Sequence, residues 1–429
     1  MDRGVEWDFE PTLDRIAALM DVLGSPQQAY PVIHIAGTNG KTSTARLTEA
    51  LLKERNLRVG RFTSPHLVSV RERITVDGEP LSEERFAQAY EEIAPYVDLV
   101  DTQGRRIQFF ELLTAMAFAV FADTPVDVAV IEAGMGGSWD ATNVADGAVA
   151  VVTPISLDHT DRLGPDIPSI AGEKAGIIKP GATAILSQQE LEAAEVLMRR
   201  AADVGAVVAR EGLEFGVLNR EVAMGGQLLS LRGLKGVYED VYLPLYGAHQ
   251  ASNAVTALAA VEALTGGDDP LDVELVRQAF AQASSPGRLE VVRRTPTVVI
   301  DAAHNPGGMQ ATLEGMHEAF DFAKVVGVVA VMRDKDVDAL LELLEPIVDE
   351  IVVTRNSSPR SMSPEDLAAL AVPLFGEDRV HVVERLDEAL DRGIGIADAE
   401  GEFSGTGVLI TGSVVTAGDA RHLLRAEGT

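Results

Sequence analysis

The chain has 429 residues, 46% of them hydrophobic and 24% charged, an ordinary globular mix long enough for two or three domains. Its 36 basic and 66 acidic residues leave a net charge of −30, which argues against a general nucleic-acid or anionic-membrane binder, since either needs a basic field. There is no cysteine, so disulfides and thiolate metal sites are excluded, and histidines and carboxylates are the strong metal ligands that remain.

Met1 to Leu13 carries acids and no apolar stretch, so no signal peptide is expected. No run approaches the roughly 18 apolar residues of a membrane span, and the chain reads as a soluble cytoplasmic protein. Val32 to Ala36 is predicted as a strand and Thr42 to Leu52 as the helix after it. Phe110 to Phe121 is apolar and helix-forming. Val126 to Ala133, Ala148 to Ile155 and Ala182 to Leu186 are continuous apolar runs, the pattern of parallel strands buried on both faces. Gly212 to Tyr242, rich in glycine and in β-branched and aromatic residues, predicts a short antiparallel excursion. His249 to Leu264 is a strong helix. Ser284-Ser285-Pro286-Gly287-Arg288 is dense in turn residues and marks a boundary.

Beyond that boundary the alternation restarts. Strands are predicted at Thr297 to Ile300, Val325 to Val331, Glu350 to Thr354, Val380 to Val383 and Val408 to Thr411. Helices are predicted after Pro306 and over Val337 to Leu344 and Pro364 to Ala371, with a loop over Gly401 to Gly407. The pattern is α/β throughout: a mostly parallel N-terminal domain over 1–286 and a smaller, Rossmann-like domain over 287–429.

The first chemical signal is Ala36-Gly37-Thr38-Asn39-Gly40-Lys41-Thr42-Ser43, at a strand-to-helix junction. Backbone N–H groups, an ammonium and hydroxyls converge there, which suits the β- and γ-phosphates of a nucleotide. The strict P-loop, G-x-x-x-x-G-K-[ST], would place glycine where Ile35 stands, so this is a variant. The plainer reading is a glycine turn. An acidic protein that holds ATP must gather cations at the site, and Lys41, Lys174, Lys179 and Arg288 are candidates.

Glu132 ends a buried strand and precedes three glycines, Gly134, Gly136 and Gly137. A carboxylate there can hold Mg²⁺ across from the elbow hydroxyl; alternatively it is a surface acid beside a turn. His159, after the next strand, is either a metal ligand or a structural histidine. Glu173-Lys174-Ala175-Gly176-Ile177-Ile178-Lys179 sets lysines among small and apolar residues. A desolvated lysine loses its proton readily, and a neutral amine can add CO₂ to form an anionic carbamate; an exposed helix lysine is the plainer alternative. Gln250 and Asn253 can read an adenine edge; the plainer alternative is helix capping by His249 or Gln250. Arg288 suits a phosphate. Asp301 can bind ribose hydroxyls and His304 can face a phosphate, while Asn305 caps the helix at Pro306.

Taken in order, these pieces resemble the Mur ligase superfamily, and within it the dihydrofolate synthase/folylpolyglutamate synthase branch in its actinobacterial form. The resemblance also rests on Thr63-Ser64-Pro65-His66-Leu67, Arg71-Glu72-Arg73-Ile74 and Phe110-Glu111. It implies a P-loop ATPase domain, a C-terminal Rossmann-like domain, and ATP between them. It implies Mg²⁺, two ions, held near Thr42, Ser64, Glu132 and His159, and a carbamate on Lys174. It implies nucleotide contacts from Thr38 to Ser43 and at Asn253, Arg288 and Asp301, with Lys41, Lys174 and His304 as the catalytic side chains. A pterin would sit near Phe109, Phe110, Glu111, Trp139, Asp140 and Ala141. The implied reaction joins L-glutamate to dihydropteroate, to a reduced folate, or to both, through an acyl phosphate; the resemblance also suggests a monomer.

This sequence departs from the branch at three positions. Thr42 stands where the branch often has glycine, so the metal hydroxyl is Thr42 or Ser43. Ser138 stands where arginine is frequent, and Ala302 where glycine is. Two alternatives remain. A cell-wall Mur ligase should carry a further domain before the P-loop, and here the elbow begins by Gly37. An ATP-hydrolysing binding protein would release ADP without any acceptor.

Overall fold

The structure is a computed structural model that describes residues 10–399, 401 and 405–426. Residues 1–9, and with them most of the N-terminal stretch read above, lie outside the described residues, as do 402–404 of the expected loop.

The chain opens with α1 (Asp14–Val22), β1 (Val32–Ala36) and α2 (Lys41–Glu54). There follow β2 (Val59–Phe62), β3 (Ile74–Val76), β4 (Glu79–Pro80), α3 (Glu83–Thr102), α4 (Phe109–Asp123), β5 (Val128–Glu132) and β6 (Gly147–Val152). Next come α5 (Thr160–Leu163), α6 (Ile167–Ala175), β7 (Thr183–Leu186), α7 (Leu191–Val204) and β8 (Val207–Arg210). These strands form one eight-stranded sheet in the order β4-β3-β2-β5-β1-β6-β7-β8, parallel except where β3 joins β2 and β4. The central strands are apolar and fully buried, as a sheet covered on both faces requires. One face packs Leu47, Leu51 and the alanine-rich helix α8 (Ala248–Thr265). The other packs Ile16, Phe118 and Phe121 from α1 and α4.

Between β8 and α8, the strands β9 (Gly216–Ala223), β10 (Gly226–Arg232) and β11 (Val237–Leu243) form a three-stranded antiparallel sheet, the excursion its composition suggested. After α9 (Val273–Ala281) the second α/β unit starts. It comprises β12 (Glu290–Arg294), β13 (Thr297–Ile300), α10 (Pro306–Ala319), β14 (Lys324–Val329), α11 (Val337–Leu344) and β15 (Glu350–Val353). It continues with α12 (Pro364–Phe375), β16 (Val380–Val382), α13 (Leu386–Ala399), β17 (Thr406–Thr411) and α14 (Val414–Ala426). Its six strands run in the order β12-β13-β17-β14-β15-β16, with only the first pair antiparallel.

Thr406 and Gly407, expected in a loop, are paired in β17 opposite Lys324 and Val325. The phenyl ring of Phe322 lies against Gly407 where a Cβ would stand, so glycine here permits close packing rather than a turn. Several sequence-expected strands are shorter at one or both ends, as at β5 and β6, where the flanking apolar residues Val126, Ala133 and Ile155 are buried but lie outside the strands.

Candidate active site

In the eight-stranded sheet β1 lies between β5 and β6, with Ile35 paired to Glu132 and Ala36 to Val152. The carboxyl ends of these strands therefore open at one point, where ligands of open α/β sheets bind. Gly37, at φ +146°, passes so close to Thr153 that a Cβ would overlap the threonine side chain. Gly40, at φ +88°, likewise leaves room for the Asn253 amide. α2 then starts at Lys41, and its first N–H groups face the elbow.

Two ammonium groups converge beneath this turn. Lys41 Nζ donates to the carbonyls of Gly37 (3.0 Å) and Thr38 (3.1 Å). Lys174 Nζ, from α6, donates to the same Gly37 carbonyl at 2.7 Å. Burial lowers the pKa of Lys41, against the pull of Glu132. Burial, then the charge of Lys41, brings Lys174 down to about 7. Burying two cations side by side costs several kcal/mol apiece unless an anion joins them, which makes the elbow a receptor for a polyanion.

Glu132 is buried, and burial pushes its carboxyl up while Lys41 and the Thr42 hydrogen bond pull it down. It accepts from Thr42 Oγ1 at 2.9 and 3.0 Å and from the Ser64 N–H at 3.3 Å. Ser43, by contrast, turns its hydroxyl away to Ser285 at 2.9 Å, so Thr42 is the hydroxyl facing Glu132. His159, at φ +50°, caps α5 and lines the same cleft. Burial lowers its pKa to about 4, leaving a neutral imidazole. Among the described residues no three His, Asp or Glu side chains gather as a ready-made metal site. The oxygen-rich set of Thr42, Ser64 and Glu132 fits Mg²⁺ that takes its other ligands from water and phosphate.

On the far side of the cleft stand Asn253, Arg288, Asp301 and His304. Asn253 donates to Gln250 Oε1 (3.2 Å) and accepts from Thr44 (3.4 Å). Asp301 spends its carboxylate on its own unit, accepting from the N–H groups of Leu289 (2.9 Å) and Ala303 (2.8 Å) and from the Thr312 hydroxyl (2.8 Å). His304 Nδ1 lies 3.0 Å from the Ala302 carbonyl. Thr38, Asn39 and Gly40 complete the wall, Thr38 bridging to Ser156. The cleft, about 200 Å³, thus gathers every expected nucleotide, metal and catalytic residue.

Sequence reading assigned no role to Asp158, yet it ties the two units together. It accepts from Lys335 Nζ (2.5 Å) and from Asn305 Nδ2 (3.1 Å), and lies 3.5 Å from His304 Nε2. Burial alone would raise its carboxyl, but His304, His159 and Lys335 hold it well below the carboxylate range. Asn305 Nδ2 also reaches the elbow at Asn39 Oδ1, 3.1 Å away.

A second chamber, about 650 Å³, continues from the cleft between the two units. Phe110, Glu111, Trp139, Asp140 and Ala141 line it, as expected. Phe109 sits behind the wall, with the Arg73 guanidinium 5.7 Å over its ring. The chamber adds polar groups that no motif had suggested. Arg15 Nε pairs with both Glu111 oxygens at 3.0 and 3.2 Å, and Lys335, Ser357, Arg360 and Ser413 come from the second unit.

This fold and site have counterparts among known proteins. The Mur ligase middle domain family matches residues 35–261, and the Mur ligase glutamate ligase domain family matches residues 287–414. The class is that of Mur-type ligases. The chain is 53% identical to the Mycobacterium tuberculosis dihydrofolate synthase/folylpolyglutamate synthase, over 98% of this chain and 91% of that one. It superposes on the crystal structure of the M. tuberculosis folylpolyglutamate synthase complexed with ADP and AMPPCP with a TM-score of 0.94 and 54% identity, covering 96% of this chain and 95% of that one. On the E. coli FolC structure in complex with DHPP and ADP the TM-score is 0.87 at 30% identity, covering 100% and 96% of the two chains. The chain belongs to the dihydrofolate synthase/folylpolyglutamate synthase branch of the Mur ligase family.

Proposed function

We infer that this chain is an ATP-dependent ligase that joins L-glutamate to dihydropteroate, to a reduced folate, or to both. The observation that carries this reading is a shared wall: Ser64, Gly134, Met135, His159 and His304 line both the elbow cleft and the larger chamber. A carboxylate held in the chamber therefore lies beside the place where the γ-phosphate would rest.

In the reaction we propose, an acceptor carboxylate oxygen attacks the γ-phosphorus and ADP leaves, giving an acyl phosphate. The glutamate amine then attacks the acyl carbon, an amide forms, and inorganic phosphate departs with the carboxylate oxygen. Lys41 holds the phosphoryl charge as it moves. Arg288 and Asp301 would meet the nucleotide from the second unit, and Asn253 its base; His304 stands where cleft and chamber join. Thr42, Ser64, Glu132 and His159 would hold Mg²⁺, two ions in this reading, which when bound neutralises and orients phosphate oxygens. Lys174, buried with its pKa near 7, keeps enough neutral amine to take up CO₂, and we propose it as a carbamate. An acyl phosphate hydrolyses readily, so the units must exclude water; the Asp158–Lys335 contact suits that closure.

We further propose a division of labour between an ATP-binding unit over 1–286 and a ligase unit over 287–429, acting as a monomer in the cytoplasm. The separate sheets support the division, as does the formation of both cavities by one chain. No helix among the described residues is long and apolar enough to cross a membrane.

The test is ADP release with dihydropteroate or a reduced folate as acceptor, each with and without L-glutamate. Release that needs both acceptor and glutamate is expected. Release independent of any acceptor would point to nucleotide hydrolysis without ligation, and release with another amino acid in place of glutamate to a different Mur-type ligase.

A further inference from the structure

β1 is the strand that delivers the elbow, and its neighbours are those of a doubly covered sheet: Val32, Ile33, Ile35 and Ala36, all fully buried. At its centre stands His34, also fully buried. An imidazole in such a place is costly unless it is hydrogen-bonded. The fold makes room for it, because Gly147 on β6 carries no side chain and a Cβ there would press on the His34 Cβ. Burial, then the charge of Lys179, lowers its pKa to about 3, so the ring is neutral.

The ring is one end of a three-member chain. His34 Nε2 lies 2.8 Å from Thr142 Oγ1. The Thr142 hydroxyl lies 2.5 Å from Asp140 Oδ1, which also accepts the Thr142 N–H at 3.0 Å. Asp140 Oδ2 accepts the Met135 N–H at 2.9 Å. Asp140 and Met135 both face the larger chamber.

Counting protons fixes the direction of this chain. A threonine hydroxyl has one proton, and the carboxylate takes it. The imidazole must then donate from Nε2 to the threonine oxygen. That leaves His34 Nδ1 as a bare lone pair, and Nδ1 indeed has no partner among the described residues. The opposite direction would place an N–H at Nδ1 with nothing to receive it, the worse of the two orphans. Burial pushes the Asp140 carboxyl up, and the donated hydrogen bonds oppose this. Keeping the Thr142 proton aimed at Asp140 therefore keeps that carboxylate an acceptor, in one rotamer, on the chamber wall.

We propose that His34 is a positioning residue for the acceptor substrate: through the Thr142 hydroxyl it fixes the orientation and acceptor character of Asp140, and so sets the affinity of the chamber for a ligand that donates hydrogen bonds to that carboxylate. This rests on the reading of the chamber as the site of the pterin-bearing acceptor. His34 lines neither the elbow cleft nor the larger chamber.

The experiment compares His34→Leu, His34→Gln and Thr142→Val with the unaltered chain in the ADP-release assay, reading KM for acceptor and for ATP separately from kcat. His34→Leu fills the space without a donor, whereas His34→Gln restores an N–H at the far end of the side chain. The expected result is an acceptor KM raised roughly tenfold by His34→Leu and by Thr142→Val. KM for ATP and kcat should stay within about threefold, and His34→Gln should recover most of the loss. The double variant His34→Leu/Thr142→Val should be no worse than either single one, because both break the same chain. Should His34→Leu not fold, Thr142→Val against Thr142→Ser reads the same step at its middle. An unchanged acceptor KM in His34→Leu or Thr142→Val overturns the proposal. So does a parallel rise in both KM values that His34→Gln fails to reverse, since that is the mark of mere packing. If the unaltered chain turns over no pterin acceptor, it is the functional reading that has failed, and this inference falls with it.

Discussion

The two parallel sheets point their carboxyl ends at a common cleft but load them with different chemistry. The eight-stranded sheet ends in buried and half-buried charge: Lys41 after β1, Glu132 at the end of β5, Asp158 beyond β6, with Lys174 beneath the elbow. The six-stranded sheet ends largely in neutral donors and acceptors. Asn356, after β15, donates to Ser413 Oγ at 3.1 Å and Thr416 Oγ1 at 3.0 Å, and Thr416 donates to the Ala330 carbonyl at 2.7 Å. Its one buried carboxylate among the described residues, Asp301, is consumed within the unit. On the proposed reading, charge is stored where a phosphoryl group would move, and shape and hydrogen bonding are stored opposite it. The buried ion pair from Asp158 to Lys335 joins the two.

Removing the charge at the elbow should break this division most severely. Lys41→Ala should lower kcat by roughly 10²–10³-fold; the chain should still fold but melt somewhat earlier, because the variant also removes the cation that holds the buried Glu132 carboxyl down. Full turnover in that variant would refute the phosphate assignment. Glu132→Gln should cost about 10²-fold in turnover and weaken the dependence of rate on Mg²⁺ concentration; an unaltered Mg²⁺ titration would show that the carboxylate does not serve the metal. Asp158→Ala should act on the joint between the sheets. It leaves Lys335, whose side chain is 9% exposed, without its carboxylate, and such a loss is strongly destabilising. A roughly tenfold fall in activity is expected, together with a larger radius of gyration by small-angle scattering; unchanged scattering would mean that other contacts hold the units closed.

The smallest effect concerns pH. Lys174 has a folded pKa of about 7, below its unfolded value of about 10.4. Between those values the unfolded chain binds the extra proton, so this group adds stability as pH rises from 7 toward 10, and that gain is lost as pH falls. Relative to Lys174→Met, the unaltered chain should gain up to about 1.4 kcal/mol per pH unit within that window. Urea melts at pH 7.5 and 9 for both proteins would read this; parallel curves would show that Lys174 is not depressed. Incubation with ¹³C-bicarbonate should give a carbamate resonance in the unaltered chain that Lys174→Met lacks.

Which residues meet around the elbow cleft was largely legible in the sequence, because that lining is built from short segments. Glycines, Lys41 and Thr42 sit together, Glu132 lies at the end of one apolar run, and His159 follows the next by four residues. The joint was not legible. Asp158 and Lys335 are 177 residues apart, and neither carries a local pattern that names the other. The chamber was half read: Trp139, Asp140 and Glu111 belong to motifs, but Arg15 reaches Glu111 across 96 residues. The long helix α3 escaped notice because its charges are mixed, with Pro95 inside it. His34 was read only as part of a strand, since nothing in Val-Ile-His-Ile-Ala says that Thr142 lies beside its ring. Tertiary placement decides each of these, and composition is silent on it.

The most direct test of the central claim, that cleavage of the triphosphate is captured as an amide through an acyl phosphate, follows the oxygen. An acceptor labelled with ¹⁸O in its carboxylate should, on turnover with ATP and L-glutamate, deliver one ¹⁸O atom into each inorganic phosphate released, seen by mass spectrometry. Unlabelled phosphate accompanying amide formation would contradict the account.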